Sequence, residues 1–158
     1  MSSPSWVGQG ISLGLVLVAI WLLRAPLTTG IAVFGATLLA AGTIVGSRKH
    51  ASYGLVALLG AVVTASIEGV PATALVVATV TIVVAWDVAT YSTRLAENVG
   101  RDGSTGRIEL LHASYSLAVG LACAAVVLVA HATLGPVHSF AALGLLLIGL
   151  FALTAALH

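Results

Sequence analysis

Apolar residues occupy this chain in long blocks, separated by short breaks that carry charge, glycine or proline. A helix needs roughly 20 apolar residues to cross about 30 Å of hydrocarbon. Six blocks approach that length: Trp6–Leu23, Leu27–Gly46, Ala51–Ile67, Ala72 to about Trp86, Ala113 to about Ala130, and Val137–Leu157. Continuous apolar runs of this size predict helices, because lipid cannot satisfy the open edge of a sheet. The valine-rich run Leu75–Val84 would read as a strand in water, but its length and context overrule that.

Pro26, Pro71 and Pro136 each fall at the start of an even-numbered block. The first turn of a helix has unsatisfied N–H groups anyway, so proline costs nothing there. The pattern predicts an all-α, polytopic transmembrane bundle of six spans arranged as three tandem helical hairpins. The three hairpins share no side chains beyond a general Ala/Val/Leu/Gly bias. Residues 1–158 then form a single membrane domain.

Composition agrees. Hydrophobic residues make up 59% of the chain and only 7% are charged, where a soluble domain carries about a quarter. Net charge is +1, which gives no drive toward nucleic acid. A lone cysteine, Cys123, excludes an internal disulfide or a multi-cysteine metal cluster. Met1–Ser5 contains no basic residue, and no small-residue cleavage site follows the first block, so a removable signal peptide is not expected. Arg48, Lys49, Arg94, Arg101 and Arg107 fall on one side of the expected topology and Arg24 alone on the other. The positive-inside bias then predicts a cell-membrane protein with both termini in the cytoplasm.

The interval Asp87–His112 holds seven of the eleven charged residues, so its role differs from that of a simple connector. Val88, Leu95 and Val99 prolong an apolar stripe, while Asp87, Tyr91, Arg94 and Asn98 share another face. Gly100–Ser104 writes a turn, and Ser104 or Thr105 can cap a new helix running through Arg107, Glu109 and His112. A helix over Ala72–Val99 would be about 42 Å long, some 12 Å beyond the hydrocarbon. Residues 87–112 are therefore expected to project into the cytoplasm as a helical hairpin between the fourth and fifth spans. Folding it about residue 102 sets Glu97 near Arg107 and Arg94 near Glu109. Its candidate partner-binding residues are Asp87, Arg94, Glu97, Arg101, Arg107, Glu109 and His112.

Glu109-Leu110-Leu111-His112 has the spacing of a carboxylate-bridged di-iron ligand pair. Such sites need a second Glu-x-x-His and two more glutamates, which the chain lacks, so no metal and no cofactor are expected. His131 and His138 flank Gly135-Pro136 as interfacial residues, and Cys123 reads as a small hydrophobe. No Ser/His/acid triad or phosphate loop is legible, which argues against an enzyme. No charge is expected near mid-membrane, where proton relays and charged-solute pathways place theirs. Gly10-x-x-x-Gly14 and Gly42-x-x-x-Gly46 would allow close helix approach.

The residues Trp86-Asp87, Leu95-Ala96-Glu97, Gly100-Arg101 and Thr105-Gly106-Arg107-Ile108-Glu109-Leu110-Leu111-His112-Ala113 resemble the signature of one family. It comprises small multi-pass membrane proteins of halophilic archaea, grouped as domain of unknown function 7519. The family has no assigned activity. The resemblance implies work beside a MoxR-type AAA ATPase and its associated von Willebrand factor A-like proteins, and it carries over no catalytic residue. The expected function is a non-enzymatic membrane subunit or scaffold whose cytoplasmic hairpin docks a soluble partner, with a MoxR-type ATPase system as the implied candidate. The alternative is a small transporter or channel for a neutral solute. The bilayer is a partner in either case, nucleic acid in neither, and a homo-oligomer stays open.

Overall fold

The computed structural model describes residues 6–99 and 106–134 as five α-helices: α1 (Trp6–Leu22), α2 (Pro26–Val45), α3 (Arg48–Ile67), α4 (Ala72–Val99) and α5 (Gly106–Leu134). The described residues contain no strand. Four helices, α2 to α5, are long and apolar enough to cross a membrane, and α1 is a shorter apolar helix.

Local chemistry sets the breaks. Ala25 is extended at φ −140°, ψ 146°, as the residue before a proline must be, and Pro26 opens α2. Helix α2 stops at Gly46, whose φ of 70° lets the Ser47 N–H turn back to the Gly42 carbonyl at 2.8 Å. Helix α3 stops in the same way: Gly69 has φ 83°, and the Val70 N–H reaches the Ala65 carbonyl at 3.0 Å.

Six spans in three tandem hairpins are not supported. The described residues give five helices, and the expected sixth span, Val137–Leu157, lies outside them. The pairing differs as well. Helix α1 packs chiefly on α4, α2 on α3, and α3 also on α4. Backbone proximity explains why α2 chooses α3. A Cβ at Gly42 would strike the Ala51 main chain, one at Gly54 would lie 2.5 Å from the Leu39 nitrogen, and one at Gly35 would lie 2.9 Å from the Leu58 nitrogen. Gly42 is therefore a close-contact position, but Gly46 serves as a helix cap, and Gly10 and Gly14 face open space. Spacing of four between glycines did not identify the seam; the heptad pair Gly35 and Gly42 did the packing.

The core lies where α1 to α4 meet and is built on Val16, Leu23, Leu39, Leu58 and Ile82 with small alanines between them. Packing divides the chain between Ala125 and Val126. Beyond that division α5 continues to Leu134 with Val126, Val127 and Val129 exposed.

Glu68, the last residue of the α3 end, caps α2. Its carboxylate accepts the Leu27 N–H at 3.2 Å, the Thr28 N–H at 3.1 Å and the Thr28 hydroxyl at 2.5 Å. The Thr28 hydroxyl above all, opposed by desolvation and helped by the two backbone N–H groups, holds the Glu68 carboxyl below its ordinary value. A depressed acid contributes stability above its unfolded pKa and loses it as pH falls through the folded value. Thermal stability should therefore decline as pH drops below about 4.5, and Glu68→Gln should remove that part of the decline. An identical acid profile in wild type and Glu68→Gln would refute the cap.

Candidate functional site

At the opposite end from Glu68, the start of α1, the end of α4 and the start of α5 come together around two carboxylates. Helix α4 stays continuous through the polar interval as far as Val99, and α5 is helical from Gly106. The helices run antiparallel in nearly the register that a fold about residue 102 demands. The Tyr91 and His112 rings stack with centroids 3.8 Å apart and planes 12° from parallel.

Asp87 Oδ2 is the acceptor that ties α4 to α5. It lies 2.9 Å from His112 Nε2 and receives the Ser116 hydroxyl at 2.6 Å. Asp87 and His112 are 27% and 28% exposed, so the pair is screened from solvent on most sides. Ser116 bonds to the acid rather than the imidazole, so His112 does not draw a proton from that hydroxyl. Deeper along the same pair of helices, Gly120 lets α5 approach α4: a Cβ there would meet Val80 at 2.7 Å.

Glu109 points the other way. It is 1% exposed and receives the Gly8 N–H at 3.0 Å, in the first turn of α1. Ser92 of α4 closes the third side, since a Cβ on Gly8 would overlap its hydroxyl and lie 2.8 Å from Glu109 Oε2. One turn further, the Ser12 hydroxyl donates to the Ala85 carbonyl at 2.9 Å and fastens α1 to α4 again. The helix-terminal amide is a natural partner for a carboxylate, because both orphan N–H groups and the helix dipole favour negative charge there.

Of the seven residues expected to form one surface, the structure describes five and divides them. Asp87 and His112 meet between α4 and α5, Glu109 is buried against α1, and Arg94 and Arg107 are exposed. The pairing of Arg94 with Glu109 does not form, because Glu109 faces the first turn of α1 while Arg94 faces outward. The Glu97 side chain and Arg101 lie outside the described residues, and with them the pairing of Glu97 with Arg107. Asp87 falls inside the apolar stretch Ala72–Leu95, and Glu109 and His112 fall inside Gly106–Thr133. At 1.5 Å per residue Asp87 lies about 22 Å along α4, within the reach of hydrocarbon.

Gly8, Ser92 and Ser116 complete the site and were not singled out from the sequence. Asp87/Tyr91 and His112/Ser116 are both i, i+4 pairs, so two polar faces meeting across an antiparallel hairpin were the available signal. Gly8 gave none, because its partner Glu109 is 101 residues away. Among the described residues no group of three or more His, Cys, Asp or Glu side chains could hold a metal ion.

A family model described as a family of unknown function (DUF7519) matches residues 2–154. No curated protein and no solved structure matches the chain.

In a double-mutant cycle, Asp87→Ala and His112→Ala should each lower thermal stability, with a coupling of about 1 kcal/mol or more for a half-buried charge-assisted bond. Strict additivity would show that the two residues do not hold α4 and α5 together.

Proposed function

The chain belongs to the family of unknown function DUF7519, and from that premise we propose a multi-pass cell-membrane subunit or scaffold, not an enzyme, whose α4–α5 hairpin docks a soluble cytoplasmic partner. The observation that carries this reading is the set of ties at the base of the hairpin: α4 reaches Val99, α5 begins at Gly106, and Asp87, His112, Ser116 and Tyr91 hold the two helices together. Glu109 then anchors the same hairpin to α1. A connector with no further role has no need of this order, as the short link between α2 and α3 demonstrates.

The orientation follows from the same end of the bundle. Arg48, Lys49, Arg94 and Arg107 lie at that end and Arg24 at the other, which supports a cytoplasmic hairpin and a cytoplasmic start of α1. Arg24 instead lies 4.8 Å from the Trp21 ring, an interfacial arrangement. A haloarchaeal origin and a MoxR-type ATPase as the partner are proposed on family resemblance alone.

Transport of a neutral solute draws little support from the buried hydroxyls. Ser12, Thr43, Thr81, Thr90, Ser92 and Thr93 all donate to main-chain carbonyls. Groups so engaged offer a passing solute few bonds.

Replacing residues 96–105 with a Gly/Ser linker of equal length tests the docking reading. Insertion and thermal stability should stay close to wild type, while proteins recovered by cross-linking in native membranes should be lost. Recovery of the same cross-linked partner in full would place docking elsewhere.

A further inference from the structure

We propose that the basic end of the bundle binds anionic phospholipid headgroups of its own leaflet, through Lys49, Arg94 and Arg107. The proposal concerns the base of the α4–α5 hairpin and does not rest on partner docking at its tip.

Charge is the first ground. The exposed described ionic residues at this end are cations: Arg48 and Lys49 on α3, Arg94 on α4 and Arg107 on α5. The described acids of the same end are turned inward. Glu109 is 1% exposed and bonded to Gly8, and Asp87 is engaged by His112 and Ser116. Among the described residues both carboxylates of this end are thus turned into the protein, while Lys49, Arg94 and Arg107 are exposed.

Height is the second. Helix α3 opens on Arg48 and Lys49 and spans about 30 Å to Ile67, the thickness of the hydrocarbon. Arg94 lies about 33 Å along α4 from Ala72, so it too sits at headgroup level. The stacking of Tyr91 on His112 fixes α5 beside α4, and it brings Arg107 to within a few ångströms of the height of Arg94.

The apolar border is the third. Next to Lys49, Ile44, Val45 and Tyr53 are exposed; next to Arg107, Ile108, Leu110 and Leu111 are exposed. A cation at such a border lays its stem on the apolar surface and sends its head to the phosphate layer. A soluble acidic protein would meet these cations only from above, across a surface whose flanks are apolar. The headgroups of the surrounding leaflet meet them from the side, at the right height and with the right sign.

The experiment compares thermal unfolding of the full chain in phosphatidylcholine nanodiscs and in phosphatidylcholine/phosphatidylglycerol nanodiscs. Phosphatidylglycerol should raise Tm by on the order of 5 °C, from three cations near an anionic surface. The triple variant Lys49→Gln, Arg94→Gln, Arg107→Gln should keep its Tm in phosphatidylcholine and lose the increment. Should that variant fail to fold, wild type alone decides: 1 M NaCl, where the Debye length is about 3 Å, should abolish the increment. Equal Tm in the two lipids, or an increment that survives both the substitutions and the salt, overturns the proposal. So does an equal increment from inorganic phosphate added to phosphatidylcholine nanodiscs, which would mark a site for the free ion. An increment from phosphatidylglycerol alone supports it.

Discussion

A helix start exposes main-chain N–H groups that have no partner within the helix, and hydrocarbon offers them none. Two carboxylates from distant parts of the chain answer that requirement. Glu68, at the end of α3, caps the start of α2, and Glu109, near the start of α5, receives Gly8 in the first turn of α1. The two contacts sit at opposite ends of the bundle: the first ties the end of α3 back to the start of α2, and the second joins α5 to α1. With so few charges in the chain, using two of the five acids in this way ties the ends of the bundle together.

The remaining order follows from close approach. Gly35, Gly42 and Gly54 bring the α2 and α3 backbones together, and Gly8 and Gly120 do the same for α1 and α5 against α4. Without a hydrophobic drive between helices in lipid, such small residues and interhelical hydrogen bonds decide which helices pair. That is why α1 leaves its sequence neighbour α2 and settles on α4, where Ser12 bonds to the Ala85 carbonyl, with Gly8 bonded to Glu109 of α5 alongside.

Much of this was legible from residue order alone. The proline breaks, the length of α4 to Val99 and the restart of helix just after Thr105 follow from local chemistry, since each depends on residues within a turn or two. The antiparallel register of α4 and α5 was legible as well, from folding the interval about the glycine turn near residue 102. What residue order did not show was rotation. Glu109 has charged candidates on one side and a bare main-chain amide on the other, and its true partner is a glycine with no side chain to read. Counting glycines four apart failed for a related reason: a glycine can end a helix, as Gly46 does, or face open space, as Gly10 does. The site was legible as a region and not as a set of contacts, because one helix face separates the Asp87–His112 tie from the buried Glu109.

Functionally, the same withdrawal of carboxylates links the two readings of this end of the protein. It ties the base of the α4–α5 hairpin together and to α1, while Lys49, Arg94 and Arg107 remain exposed at the same end. The most direct measurement of the central claim is amide hydrogen exchange across the first turns of α1 in wild type and Glu109→Ala. Loss of a hydrogen bond to a charged acceptor should speed exchange at Gly8 by on the order of tenfold, with α2 and α3 unchanged. Unaltered exchange at Gly8 would contradict the account, because α1 would then be held at that end by something other than the Glu109 carboxylate.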